Sequence, residues 1–530
     1  VKDAETLKRP SEEDFRACLP ETAEGPGCAM AVLHKGEVAA EFCTGMASVE
    51  HGVPITPDTV FRIASVTKQF LCAAVMTLAD AGKLSLDDRL GQHLPELQGT
   101  PATVTIAQAM SNTSGIRDHL ELWYIAGGGL PVPHRLRDSV AMCARQTETN
   151  FPPGSSYLYS NANFLLLSRI AEQAAGERIE DYIERRFFTP LGMTSTKLRP
   201  GHHDVIPHLA AGYVEKDGKI SRGQITTELW GEGSAHSTLN DLVKWARYYR
   251  EDPDGLIARM RVPAAFSGGG AGYYGFGLFA EPWRGMSSVG HTGLWPGYQA
   301  EIVWFDDPDV TLVCLSNLST LVPRLVNRKL AERLFDGTLA PAPEGSPDMD
   351  LWAEGAAQGP YFSPETLTMV GLCIEDGTPK LEIHGGKVEV LAESPTRLTP
   401  AAGAAETAWF DIAGIPEGYI EMQRRNGEVV RLQALDTLPP LGEEGALAGS
   451  WWCGETASRL IVTRDADGYR VRTPQYWAHA WVSPPLPAGI MAIEDFTGPW
   501  PRRFLLVPTG PDEMAVAGPR VTRLRFKREG

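Results

Sequence analysis

Cysteine is scarce in this chain, eight residues in 530, and no two form a Cys-x-x-Cys or other close pair. That spacing argues against a disulfide framework and fits reduced thiols in a cytoplasm. Cys72 and Cys314 lie in apolar runs and are expected in the core. Positive charge is also short: 49 Lys and Arg stand against 66 Asp and Glu, for a formal charge of −17. Such a deficit argues against nucleic acid as a partner. No stretch concentrates the acid, so it reads as ordinary solvation. No apolar run reaches the roughly 20 residues that span a bilayer, so no membrane partner is expected. No Lys/Arg start leads into an apolar signal region, and a first residue of Val1 rather than methionine fits either a removed N-terminal segment or a trimmed chain. A cytoplasmic location is the expectation. No cluster of His, Cys and carboxylate has metal-ligand spacing; His202-His203 reads as a solvated loop pair.

What the chain does have is three short motifs in order: Ser65-Val66-Thr67-Lys68, Tyr159-Ser160-Asn161 and His291-Thr292-Gly293. The run Val66 to Ala81 is mostly apolar and stops at Gly82, which predicts a core helix with Ser65 as its N-cap. Residues at i and i+3 share a helix face, so the Lys68 amine reaches the Ser65 hydroxyl. A serine hydroxyl is a poor nucleophile until a base takes its proton, and a lysine neutralised by burial can do so. Helix N–H groups at that end would hold the charge that develops on an attacked carbonyl. Tyr159 follows the turn Pro152-Pro153-Gly154 and precedes a predicted helix from about Ala162 to Ala175, ended by Gly176. Near Lys68 the tyrosine is expected to have a lowered pKa and to serve as general base, while the Asn161 amide suits a substrate carbonyl. His291 stands before a predicted strand, Gln299 to Phe305, which turns at Asp306-Asp307-Pro308-Asp309 into a second, Val310 to Leu315. Gly293 allows close backbone approach, and His291 is read as a substrate contact or proton carrier. Each motif alone has a bland alternative: a capped helix with a chance lysine, an aromatic over a helix start, a surface histidine in a glycine-rich loop.

Taken in order, the motifs resemble the serine β-lactamase and penicillin-binding-protein superfamily. The nearest likeness is the class C branch, with its D,D-carboxypeptidases, D-aminopeptidases, esterases and amide hydrolases. The resemblance covers roughly residues 25 to 335. It includes the hairpin Cys28 to Thr44 with its Lys35-Gly36 turn, the segment Ser111-Asn112-Thr113-Ser114-Gly115-Ile116, Pro190-Leu191-Gly192-Met193, and a capped helix over Ser237 to Trp245. It implies an α+β catalytic domain, an antiparallel sheet flanked by helices. It also implies Ser65 as the acylated nucleophile, Lys68 and Tyr159 sharing the proton, and Asn161 on the substrate amide. The Ser65 N–H and a strand N–H near Gln299 would form the oxyanion hole. Serine acyl transfer implies no cofactor. One departure stands out: His291 occupies a position where many members carry lysine, so the fixed cation suited to a substrate carboxylate is missing. That favours a peptide, amide or ester substrate neutral at that end.

The length predicts more than one domain. Proline-rich breaks at Gly337 to Asp350 and Leu438 to Gly445 divide the chain into 1–337, 350–438 and 446–530. The last two pieces look alike: Gly359-Pro-Tyr-Phe-Ser-Pro-Glu-Thr366 matches Gly449-Ser-Trp-Trp-Cys-Gly-Glu-Thr456, and short alternating strands with turn signals follow each. Two small antiparallel β-barrels are the economical reading. A catalytic domain with two such barrels resembles bacterial D-aminopeptidases, in which a loop of the last barrel enters the cleft. The candidate loop runs from Pro474 to Pro485 and holds Tyr476, Trp477, His479 and Trp481; its alternative is barrel core. It carries no carboxylate for a substrate ammonium, which leaves Asp118 and Glu232 as guesses. The resulting expectation is a serine hydrolase on short peptides or amides with an N-terminal D-residue. A broad esterase or amidase comes next, then a D,D-carboxypeptidase or β-lactamase. A non-catalytic receptor is set against it by the presence of Ser65, Lys68 and Tyr159 together. The resemblance also makes a homodimer the candidate assembly.

Overall fold

The computed structural model describes residues 9–530 apart from 21–24, 130–131, 202–203, 224–225, 336, 342–344, 401–406, 443–444, 466–467, 474–479, 484–485 and 496–501. An antiparallel sheet dominates the first part. Its strands are β1 (Cys28–His34), β2 (Glu37–Thr44), β3 (Phe279–Trp283), β4 (Met286–Trp295), β5 (Tyr298–Phe305) and β6 (Val310–Ser316), in the order β3-β4-β5-β6-β1-β2. Strand β1 is buried along nearly its whole length. Strand side chains alternate between faces, and here each face has its own cover. Ala29, Ala31 and Leu33 join the core of α1 (Thr67–Asp80) and α2 (Asn161–Ala175). Cys28, Met30 and Val32 pack with Val326 and Leu330 of α3 (Pro323–Leu334). A strand covered on both faces reads as a continuous apolar run, as Cys-Ala-Met-Ala-Val-Leu does.

The helices fall close to their predicted bounds. Helix α2 ends at Gly176, whose φ of 73° is the left-handed conformation glycine adopts without penalty. Helix α1 starts two residues later than Ser65, which lies in a 3-10 turn over Ala64–Val66 and does not cap the helix with its side chain. The His291-Thr292-Gly293 motif lies inside β4, the strand that precedes the predicted one at β5.

Beyond the sheet comes a closed barrel of eight antiparallel strands, from Tyr361–Ser363 to Val429–Ala434. A helix over Met349–Ala357 precedes it, capped by Asp348, whose side chain accepts the Leu351 N–H at 3.0 Å. This helix begins where the predicted break, Gly337 to Asp350, ends, and it takes up the first residues of the piece read as β-barrel. Its Trp352 is fully buried among barrel side chains and donates its indole N–H to the Cys373 carbonyl at 3.0 Å. A second eight-stranded sheet follows, with the first strand, Gly449–Cys453, again between the second, Ser458–Asp465, and the last, Val521–Arg528. The shared start is the structural counterpart of the sequence repeat. The core of this sheet is continuous with Leu120, Leu122, Trp123 and Tyr124 of the helix His119–Ile125, a part of the first region. No helix among the described residues is long and apolar enough to cross a membrane.

Because Trp352 plugs the closed barrel, its truncation leaves a large void. Trp352→Ala should cost about 3–5 kcal/mol and lower the urea midpoint of unfolding. An unchanged midpoint would show that the helix is peripheral to barrel stability.

Candidate active site

Ser65 is held by a strained turn. The preceding Ala64 has a φ of 46°, a conformation that a residue with a Cβ keeps only where its surroundings impose it. Those surroundings are a set of hydrogen bonds. The Ile63 N–H donates to the Ala235 carbonyl at 3.0 Å. Thr67 Oγ1 donates to the Ala64 carbonyl at 2.5 Å and accepts the Ala235 N–H at 3.0 Å. Arg62 Nε donates to the Gly233 carbonyl at 3.2 Å. Strand β4 closes the other side at Gly293, where an added Cβ would lie 2.0 Å from the Ile63 carbonyl oxygen. The third motif therefore needs glycine for contact with the turn that carries the serine.

Lys68 is fully buried, and its Nζ has three partners: Ser65 Oγ at 3.0 Å, Asn161 Oδ1 at 2.9 Å and the Glu232 carbonyl at 2.6 Å. Two of these are carbonyl oxygens, which can only accept. A neutral amine bonded to both spends its two hydrogens there and turns its lone pair to Ser65. Burial pushes the Lys68 pKa well below the ordinary lysine range, opposed by Glu232 and Asp118 and assisted by Arg520. Tyr159 bonds the same serine hydroxyl, but burial raises its pKa, against the hydrogen bond with Ser65 and the charge of Arg520. The lowered tyrosine pKa expected from the sequence is thus reversed: at rest Tyr159 is a phenol and Lys68 the more basic partner near neutrality.

The shell around these groups is built from local motifs. Asn112 Oδ1 accepts the Ser160 N–H and an Asn163 Nδ2 hydrogen, each at 3.0 Å, and so fixes the loop that carries Tyr159. Asp118 Oδ2 accepts the Asn161 N–H at 2.6 Å and Asn161 Nδ2 at 2.8 Å. Its Oδ1 caps the helix His119–Ile125, accepting from the Leu120 and Glu121 N–H groups. Asn161 thus bridges Asp118 and Lys68, with one amide hydrogen left over. Asp118, fully buried and saturated by these donors, is not available as the ammonium partner guessed from the sequence. The Glu232 carboxylate lies beside Lys68, 1% exposed. Burial raises its pKa, opposed by backbone N–H groups at Glu232 and Trp230 and by the charges of Lys68 and Arg62.

The structure places His291 against Tyr159 and Tyr274, buried, with both ring nitrogens engaged. Nδ1 is 2.5 Å from the Thr292 carbonyl and must donate to it, so Nε2 accepts the Tyr274 hydroxyl at 2.9 Å. Burial pushes its pKa down to about 3, the Lys68 charge adding to the fall. The ring is therefore neutral, with neither nitrogen turned to a substrate. Gln299 also lies elsewhere than expected. It stands opposite Leu294 on β4 and Ser316 on β6, and its side chain donates to the Ser319 carbonyl. The β4–β5 hairpin closes with Trp295 opposite Tyr298, and antiparallel bonding alternates along the strand. That alternation turns the Leu294 N–H away from β5, on the side where β3 has already ended at its pairing of Phe279 with Gly290. Leu294 is thus the better placed strand donor beside the Ser65 turn.

Tyr476, Trp477 and His479 lie outside the described residues, and Trp481 is described only by its backbone, opposite Val471. The residue before that loop, Thr473, is buried against Gly127, just after the helix His119–Ile125. A different barrel element demonstrably reaches the site. Arg520, in the turn between strands Glu513–Gly518 and Val521–Arg528, has its guanidinium carbon 5.0 Å from the Tyr159 ring centre and Nη1 3.6 Å from Asp118 Oδ2. No sequence signal marks it, since Gly518-Pro519-Arg520 looks like any polar hairpin turn.

A family profile described as Beta-lactamase matches residues 15–335. The chain is similar to the D-aminopeptidase of Cereibacter sphaeroides, at 29% identity over 85% of this chain and 84% of that one. It is also similar to the D-aminopeptidase of Brucella melitensis, at 30% identity over 81% and 78% respectively. In fold it resembles the octameric penicillin-binding protein homologue from Pyrococcus abyssi, with a TM-score of 0.54 and 18% identity over 97% of both chains.

An anion beside a buried ammonium favours its protonated form. Glu232→Gln removes that anion, so the Lys68 pKa should fall further and the acid limb of kcat/KM should move to lower pH. A limb that stays in place would mean that Glu232 is already neutral in the working enzyme.

Proposed function

The chain belongs to the beta-lactamase family of hydrolases, and within it we propose that it is a D-stereospecific aminopeptidase or amidase working through an acyl-enzyme on Ser65. The observation that carries the chemistry is the contact of Lys68 Nζ with Ser65 Oγ at 3.0 Å, with Tyr159 bonded to the same hydroxyl. Neutral Lys68 takes the Ser65 proton as Oγ attacks the scissile carbonyl. The Ser65 and Leu294 N–H groups hold the oxyanion. The proton passes through the Tyr159 hydroxyl to the leaving nitrogen, the carbon–nitrogen bond breaks and the amine departs. Water then enters by the reverse relay and releases the acid. The leftover Asn161 amide hydrogen suits the substrate's carbonyl. In this reading His291 positions Tyr274 and β4 and carries no proton.

The substrate class is supported by two similar proteins that are D-aminopeptidases, and by a site whose third-motif histidine carries no charge. One observation favours a second reading. Asp118 is saturated by donors of the protein, and a broad amidase or esterase needs no carboxylate for a substrate ammonium.

Release of p-nitroaniline from D-alanine p-nitroanilide and from its L-isomer separates the two. D-selective turnover is expected; turnover of p-nitrophenyl esters alone would favour the esterase. In either case Ser65→Ala should lose at least about a thousand-fold in kcat, and retained turnover would remove the acyl-enzyme.

A further inference from the structure

The third motif lacks a cation, and Arg520 brings one to Tyr159. We propose that this arginine binds the carboxylate of the departing amino acid, so that the preferred substrates are short peptides whose free C-terminus lies one residue beyond the cleaved bond. This rests on the hydrolase reading above.

The main chain that carries Arg520 is anchored on both sides. The Arg520 carbonyl accepts the Asp118 N–H at 3.4 Å and Asn150 Nδ2 at 3.1 Å. The neighbouring Thr522 N–H donates to Asn150 Oδ1 at 2.8 Å, and Arg117 Nε donates to the Thr522 carbonyl at 3.3 Å. The barrel turn is thereby pinned to the catalytic region on both sides of Arg520, and the side chain projects from an anchored base.

Its head group is not used up within the protein. The nearest carboxylate oxygen, Asp118 Oδ2, is 3.6 Å away and already accepts two hydrogens from Asn161. Among the described residues no acceptor lies within hydrogen-bond distance of the guanidinium, and 36% of the side chain is exposed. A guanidinium offers five donors in a planar fork matched to a carboxylate, and here the fork has a charge partner but no hydrogen-bonded one.

The position specifies the end of the substrate. Arg520 lies over Tyr159, and Tyr159 delivers the proton to the leaving nitrogen. In a leaving amino acid the carboxylate carbon is two bonds from that nitrogen, about 2.5 Å away. A nitrogen at the Tyr159 hydroxyl therefore keeps its carboxylate beside the tyrosine ring over which Arg520 lies. His291, neutral and with both nitrogens occupied, cannot compete for it. The reaction is the one already described: Ser65 Oγ bonds to the carbonyl carbon, the carbon–nitrogen bond breaks, and the leaving amine keeps the proton from Tyr159 while its carboxylate stays paired with Arg520 until release.

The test compares D-alanyl-glycine with D-alanyl-glycinamide, which differ only in the leaving carboxylate, on the full chain and on Arg520→Gln and Arg520→Lys. A charge-assisted contact of this kind should favour the free acid by about 10–100-fold in kcat/KM. Arg520→Gln should reduce that preference to about one, and Arg520→Lys should restore part of it; circular dichroism and thermal melting check that the variants fold. Indifference of the unaltered protein to the carboxylate overturns the proposal. So does an equal loss on both substrates in Arg520→Gln with the preference intact, which is what a role in holding Asp118 alone would give. Either result leaves the hydrolase reading standing. Failure to cleave any D-alanyl substrate, with p-nitrophenyl acetate still hydrolysed, overturns the aminopeptidase reading and the Arg520 assignment with it.

Discussion

A buried amine sits at the centre of this molecule. An isolated ammonium is expensive to desolvate, and Lys68 meets that cost with three oxygen partners contributed by three separate segments: the Ser65 turn, the head of α2 and the Glu232 loop. Any shift of one segment would leave a buried polar group unpaired. The surrounding devices follow from that constraint. Asp118 holds Asn161 by two bonds, Asn112 holds the residue before it, and Ala235 holds both sides of the strained Ala64. The same burial that fixes the amine lowers its proton affinity, so position and reactivity have one cause.

Much of this was legible in sequence because it is local. Ser65 and Lys68 are one helical turn apart, Tyr159 and Asn161 flank one helix entrance, and β1 announces its two covered faces by an unbroken apolar run. The barrels were legible as a repeat with strand periodicity. Less visible was anything set by the direction of a side chain. The ionisation of Tyr159 turned on burial, which reverses the effect inferred from a neighbouring lysine. His291 looked free because nothing in the sequence pairs it with Tyr274. Gln299 was displaced by the register of a hairpin, where one position changes which edge an N–H faces. The helix around Trp352 was hidden by the prolines before it.

The contribution of the last barrel was the hardest to see. Sequence reasoning looked for an aromatic insertion, a feature with a compositional signal. The element shown to reach the site is a two-residue turn bearing one arginine, indistinguishable from a solvated hairpin until the strands around it are placed. The apolar continuity between the helix His119–Ile125 and the barrel interior explains the placement. The wall of the cleft and the wall of the barrel share one core, so the turn cannot move independently of the residues it faces.

The bond from Arg117 to the Thr522 carbonyl joins residues 405 positions apart. Closing so long a loop costs more ordering entropy than closing a short one. Ser65 and Lys68, three residues apart, need no such closure, whereas Arg520 is tied to the catalytic region through it. The reactive pair is thus a local property of the chain, and the charged wall is a property of the whole of it.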